Sequence, residues 1–253
     1  VGYGLAGLLA LSSLLKLVKR EAAGIRSFYI ASALYAGTSL GADVRPYYIK
    51  TQFQPAFELA DARRLADELG VELTVIEADI LADDAVAANP PDRCYHCKRA
   101  LFTLLAERAA SDGYSELIDG TNASDDPGDR PGTRALRELR VLSPLRECGI
   151  TKADVRRLSR EAGLFTYAKP SYACLATRVP TGRRIEAEAL GRIEAAESAL
   201  RALGYDDLRV RLCEGGVRLE LPESELERAD AQNAQEARAA LARYCARSTA
   251  WAA

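Results

Sequence analysis

The sequence contains no methionine, one histidine and one tryptophan, and its basic and acidic residues nearly cancel, leaving a net charge of -2. With the two signs interleaved, that balance excludes a protein whose whole surface seeks nucleic acid, while a local basic groove stays open. No apolar run is long enough to matter to a membrane. Val1 to Leu15 carries no charge, but Lys16 ends it, short of the roughly 20 residues a spanning helix needs. No basic segment precedes it as a signal peptide would require, so its leucines predict an apolar helix packed on the domain. Six cysteines among 253 residues are too sparse for a secreted disulfide framework, and Cys148, Cys213 and Cys245 read as scattered small apolar residues. A reducing, cytoplasmic setting is therefore expected. With Val1 first and no methionine, the natural start is expected to be missing or altered. At 48% hydrophobic and 28% charged, the composition is that of one large or two smaller globular domains with ample core.

The most distinctive stretch is Asn89-Pro-Pro-Asp-Arg-Cys-Tyr-His-Cys-Lys-Arg99. The proline pair stops any element before it, Asp92 can cap a helix beginning just after it, and Leu101, Leu104 and Leu105 repeat at helical spacing up to Gly113. Cys94 and Cys97 thus fall in the first two turns of a helix starting near Arg93 and share one face. The positive end of the helix dipole, with Arg93, Lys98 and Arg99, favours thiolates there as nucleophiles or soft metal ligands. Two ligands do not close a metal site, and the obvious third is Cys174, in a short loop bracketed by Pro170 and Pro180. The plainer reading is a pair of half-buried helix cysteines and one loop cysteine.

Along the rest of the chain, strands alternate with helices. A helix over Ser27 to Leu40, a strand over Val44 to Lys50, a helix opened by Pro55 and a strand over Val71 to Glu77 precede the cysteine helix. A strand Glu116 to Asp119 then leads into a long polar loop, Gly120 to Gly132, followed by a strand over Arg140 to Leu145. A capping box at Thr151-Lys-Ala-Asp154 opens a helix closed by Gly163. This order predicts an α/β fold, a parallel sheet covered on both faces with ligands beyond the carboxyl ends of its strands. From about Thr181 the pattern changes to a helix, Ile185 to Leu203, and a hairpin of Leu208 to Leu212 with Val217 to Leu221. The expected division is 1–182 for the sheet domain and 183–253 for a smaller α+β domain. Pairing Leu212 with Val217 sets Arg211 opposite Arg218 and Arg209 opposite Glu220 on one face. Two opposed arginines require an anion or carboxylate between them, or else a well-solvated face.

Several separated motifs occur in one order: Pro90 to Phe102, Asp119-Gly-Thr-Asn122, Arg130-Pro-Gly132, Arg137-Glu-Leu139, Ser143-Pro144, Cys174-Leu-Ala-Thr-Arg178 and Arg209-Val-Arg211. In this the chain, roughly from Val44 to Glu223, resembles the sulfur transferases that mature lactate racemase, a family within the PP-loop ATP pyrophosphatases. The resemblance implies an ATP-dependent sulfur insertase that adenylylates a pyridinium carboxylate and thiolates it for nickel-pincer nucleotide biosynthesis. It implies that Cys94, Cys97 and Cys174 hold a four-iron, four-sulfide cluster (4Fe-4S) as the sulfide source, with Lys98 beside the sulfur site. It further implies phosphate binding by Arg178, Arg209 and Arg211, carboxylates Glu197 and Glu220 near phosphate and Mg2+, and nucleotide contacts at Gly24, Ser27 and Gly120. The expected partners are a small nucleotide substrate and further copies of the chain, with neither nucleic acid nor membrane.

The chain departs from the pattern in three places. The family's Ser-Gly-Gly-x-Asp-Ser phosphate loop aligns with Ala22-Ala-Gly-Ile-Arg-Ser27, keeping only Gly24 and Ser27, so weak ATP turnover is expected. A carboxylate eight residues after Glu220 is replaced by Arg228, and Tyr244 to Ala253 shows no closing strand. Two other readings stand beside the insertase. A PP-loop tRNA thiolase would need a basic RNA-binding surface that this chain does not show. A non-catalytic cluster or zinc module would want a fourth ligand, and the only histidine, His96, lies on a different side of the helix from the cysteines.

Overall fold

The computed structural model describes residues 22–25, 34, 38, 43–125, 131–169, 172–223, 225, 231–244 and 249–251. These fall into two compact units, each discontinuous in sequence. The first lies within 1–50, 56–78 and 94–169, the second within 51–55, 79–93 and 170–253. The expected boundary at 182 therefore falls inside the second unit. The apolar N-terminal segment 1–15 lies outside the described residues, as does nearly all of 27–40.

The first unit is built on a four-stranded parallel sheet in the order β3-β2-β1-β4, with β1 Ala22–Ile25, β2 Val44–Lys50, β3 Thr74–Glu77 and β4 Glu116–Asp119. In β2 the run Pro46 to Ile49 is buried without alternation, as a strand covered on both faces requires. Helix α1, Ala56–Leu69, connects β2 to β3 and ends at Gly70, whose φ of 65° closes the turn. Helix α2, Arg93–Ser111, buries Phe102, Leu105 and Ala109 against Tyr47, Ile49, Leu117 and Leu136, one helical stripe on one sheet face. Helix α3, Pro131–Glu138, and helix α4, Lys152–Glu161, complete the unit. The capping box read from Thr151 and Asp154 is present in both directions. The strand expected over Arg140 to Leu145 is reduced to a single parallel bridge between Ile118 and Leu142, because Pro144 opens a helical turn, Pro144–Glu147.

The segment expected as the phosphate loop begins within the sheet. Ala22–Ile25 is itself the strand β1, paired on one side to Val44, Arg45 and Pro46 and on the other to Glu116 through Asp119. A strand flanked on both sides uses its backbone amides in the ladder, and Gly24 stands between Pro46 and Ile118. Ser27 lies outside the described residues.

In the second unit, helix α5, Ala187–Ala202, packs against helix α6, Ala231–Tyr244, strand β5, Arg209–Cys213, and the 3-10 turn Leu175–Arg178. Its buried stripe is Leu190, Ile193, Glu197 and Leu200. Strand β6, Gly216–Glu220, pairs with β5 in the expected register, with Arg211 opposite Arg218 and Arg209 opposite Glu220. The end of the chain does supply a closing strand. β7, Thr249–Trp251, runs parallel to β6, three residues whose pairing no local periodicity announced.

Candidate active site

In the first unit, Cys94, Cys97 and Lys98 occupy the opening turns of α2, with Cys94 exposed and Cys97 and Lys98 half-buried. Tyr95 between them donates its hydroxyl to Glu138 at 2.7 Å and lies under the Arg134 guanidinium, 3.9 Å from the ring centre. Gly132 in α3 is the floor for Lys98, since a Cβ there would stand 3.0 Å from Lys98 Cδ and 3.2 Å from Cε. At the carboxyl end of β4, the buried Asp119 accepts from the Thr121 amide at 3.1 Å, from the Thr121 hydroxyl, and from Ser143 Oγ at 2.7 Å. Asn122 in turn donates its amide and its Nδ2 to Asp125 at 2.9 and 2.8 Å. The buried Gly120 thus sits in a stiff polar loop on the sheet edge where ligands of parallel sheets gather.

In the second unit Arg178 pairs with Glu197 and Arg211 with Glu220. Arg178 and Glu197 are both sealed from solvent, with 0% side-chain exposure each, and form a two-pronged pair at 2.8 and 3.2 Å. Glu197 also accepts from the Tyr172 hydroxyl, from Arg201 at 3.3 Å and from the Val210 amide at 2.9 Å. Burial opposes the charge on Arg178, but the hydrogen bonds and charge of Glu197 outweigh it and hold the guanidinium above its ordinary pKa. Burial, followed by the charge of Glu197, pushes the Tyr172 hydroxyl up, so it stays a donor. Arg178, expected at phosphate, and Glu197, expected near phosphate and metal, are thus bound to each other. Five donors saturate the carboxylate, and the remaining Arg178 nitrogen is taken by Ala173 O and Thr177 Oγ1 at 3.1 and 3.0 Å.

The hairpin behaves as its register required. Glu220 accepts from Arg211 Nε at 2.6 Å and Arg218 Nη2 at 3.0 Å, so a carboxylate lies between the opposed arginines. Burial works to raise the Glu220 pKa, but Arg211 and then Arg218 outweigh it and hold it below the usual carboxylate range. Arg211 also donates to Thr177 O at 2.6 Å, while Arg209 lies 3.8 Å from Asp207. Arg209, Arg211 and Arg218 are all about one third to one half exposed, a partly open cationic face.

The cysteines divide between the units, Cys94 and Cys97 in the first and Cys174 in the second. Each is a free thiol, and among the described residues no three His, Cys, Asp or Glu are already gathered around a metal position. Their soft donor chemistry fits an iron–sulfur group. Arg93, the residue before Cys94, is buried and donates to Asn89 Oδ1 at 2.6 Å and to the carbonyl of Ala176 at 3.0 Å. Asn89, with φ of 56°, donates through Nδ2 to Val179, Pro180 and Arg183 carbonyls. Sequence reasoning missed Asn89, Tyr172 and Arg201. The available signals were a buried-stripe glutamate in α5 and an asparagine ahead of a proline pair.

No family model matches the chain. It is 39% identical over 170 residues, 67% of its own length and 63% of the relative's, to an uncharacterized protein of Synechocystis. To an uncharacterized protein of Methanocaldococcus jannaschii it is 34% identical over 164 residues, 65% of this chain and 62% of that one. To the pyridinium-3,5-bisthiocarboxylic acid mononucleotide synthase of Lactiplantibacillus plantarum it is 34% identical over 169 residues, 67% of this chain and 61% of that one. The chain spans little more than three fifths of the curated relatives it matches. Over the matched two thirds of its length the chain is similar to that synthase, and its cysteine, arginine and hairpin motifs resemble the lactate racemase maturation sulfur transferases.

Proposed function

We propose that the chain is an ATP-dependent sulfur insertase acting on a pyridinium carboxylate in nickel-pincer nucleotide biosynthesis. The observation that carries this is the 34% identity to a synthase named for its product, a pyridinium bisthiocarboxylic acid mononucleotide. Making a thiocarboxylate from a carboxylate requires an oxygen to leave. In the reading proposed, the carboxylate attacks the α-phosphorus of ATP, pyrophosphate departs, a C–S bond forms at the acyl-adenylate and the C–O bond to AMP breaks.

The chain's own residues suit parts of this. Arg209, Arg211 and Arg218 form a partly open cationic face able to take anionic phosphate oxygens, once Glu220 exchanges its arginines for them. Gly120 and the braced Asp119 loop lie at the carboxyl end of the parallel sheet, the expected place for a nucleotide. Lys98, held over Gly132 and next in sequence to Cys97 on α2, would neutralise developing negative charge. Cys94, Cys97 and Cys174 are the thiolates that would hold a four-iron cluster, as the resemblance in sequence implies. When bound, such a cluster would offer one iron without a protein ligand, open to an additional sulfide. Mg2+ fits neither Glu197, saturated inside the core, nor Glu220 while it is paired to two arginines, so no step is assigned to it.

The test is anaerobic purification followed by assays of iron, acid-labile sulfide, ATP-dependent pyrophosphate release and oxygen-for-sulfur exchange by mass spectrometry, using a pyridinium-3,5-biscarboxylate mononucleotide. Cys94→Ser, Cys97→Ser and Cys174→Ser should each lower bound iron together with thiolation. Pyrophosphate release that is absent with this acceptor, or iron binding indifferent to all three substitutions, would sink the reading.

A further inference from the structure

The turn bearing Cys174 is tied down on both sides of the cysteine. Ahead of it, the Tyr172 hydroxyl donates to Glu197, and the Ala173 carbonyl accepts from Arg178 at 3.1 Å. Behind it, the Leu175 amide donates to the Phe53 carbonyl at 2.9 Å. The amide and hydroxyl of Thr177 both donate to the Cys174 carbonyl, at 3.0 and 2.9 Å. The thiol itself is half-buried.

These ties converge on one carboxylate. Glu197 fixes Arg178, Arg178 fixes Ala173 and Thr177, and Tyr172 and Arg201 complete the bonding of Glu197. The Tyr172 ring lies against both guanidiniums, 4.6 Å from Arg178 and 5.0 Å from Arg201. A buried ion pair adds little stability over apolar residues of the same volume. Gathering two arginines and a tyrosine on one glutamate beside a cysteine turn therefore serves geometry better than it serves stability.

We propose that Tyr172 and Arg201 are positioning residues that, through Glu197 and Arg178, hold the Cys174 turn in one conformation with its sulfur partly shielded. The inference rests on the proposed function only in taking Cys174 as the working thiol. With the clamp loosened, the turn samples conformations in which the thiol is more open to solvent and to small electrophiles.

The test is peptide-resolved alkylation of the full chain, reduced and metal-free, by iodoacetamide, in the parent and in Tyr172→Phe, Arg201→Ala and Arg201→Lys. Tyr172→Phe keeps the ring and removes only the hydroxyl, so a folded variant is available. Losing a hydrogen bond to a charged partner should speed alkylation of Cys174 by at least about threefold in Tyr172→Phe and Arg201→Ala. Arg201→Lys, which keeps the charge, should recover most of the protection. Cys213, half-buried in β5 of the same unit, is the internal control and should keep its rate. An unchanged Cys174 rate overturns the proposal, and so does a parallel rise at Cys174 and Cys213, which would mean the unit as a whole had loosened. The readout involves no ATP, so an inactive parent chain would remove the proposed function and leave this result standing.

Discussion

Replacing Glu197 by glutamine keeps the shape of the side chain and removes its charge from a site with 0% exposure on both partners. Arg178 would then be a buried guanidinium without a counter-ion, and breaking such a pair from one side costs about 3–5 kcal/mol. The amide oxygen can still accept from the Val210 amide or from Arg178 Nε, which recovers roughly 1 kcal/mol. Its amide nitrogen, however, would face Arg178 Nη2 and Arg201, both donors, so the recovery is incomplete. The expected net loss is about 2–4 kcal/mol. Urea unfolding followed by far-ultraviolet circular dichroism should show the midpoint falling with the slope unchanged. Arg178→Met should cost a similar amount. The double variant Arg178→Met with Glu197→Gln should be clearly less destabilised than the two single losses summed, because neither charge is then stranded. A Glu197→Gln loss below about 0.5 kcal/mol, a typical surface value, would refute the placement of this pair in the core.

Glu220 has a folded pKa below its ordinary 4.5, so it contributes stability above pH 4.5 that is lost as the pH falls through the lower folded value. Because the pair is about one third exposed, the effect is small after solvent screening, and Glu220→Gln should flatten the acid limb of a stability-against-pH curve below pH 4.5. The same variant, by freeing Arg211 and Arg218, should tighten inorganic pyrophosphate binding by calorimetry, and weaker binding would contradict the reading of that face. In Gly132→Ala the new Cβ meets only the flexible chain of Lys98, so the melting temperature should move little while pyrophosphate release falls at least about threefold through displacement of the ammonium. Unchanged turnover would remove Lys98 from the site.

What the sequence disclosed depended on the kind of constraint. The hairpin register followed from alternation and a four-residue turn, and it located a carboxylate between opposed arginines because like charges cannot face each other unaided. The cysteine helix, the Thr151 capping box and strand β4 were local patterns, and they stand where periodicity put them. The pairing of Arg178 with Glu197 was not legible in the sequence. Their burial depends on α5 packing against the 3-10 turn 19 residues earlier in sequence, and charge in a sequence says nothing about depth. The one clue was helical phase, since Glu197 falls on the stripe of Leu190, Ile193 and Leu200. β7 could not be read at all, because three residues carry no measurable alternation and are strand only through β6.

The segment 22–27 admits a sharp distinction between two registers. Leu17 to Glu21 makes a poor buried strand and Ala22 to Ser27 resembles a worn glycine turn, so motif matching alone assigns 22–27 to the loop. The sheet instead needs a strand between β2 and β4, and Ala22–Ile25 fills that place with parallel partners on both sides. The two assignments give opposite expectations for Ala23→Gly. In a phosphate loop, removing the β-carbon opens room for backbone amides and raises ATP turnover. In β1, where Ala23 pairs with both Arg45 and Leu117, the added backbone freedom costs about 0.5–1 kcal/mol and gives the nucleotide nothing. The expected outcome is a lower urea midpoint with no gain in pyrophosphate release. A turnover gain of about tenfold, or roughly 1.4 kcal/mol of barrier, with stability unchanged would return these residues to the loop and move the strand elsewhere.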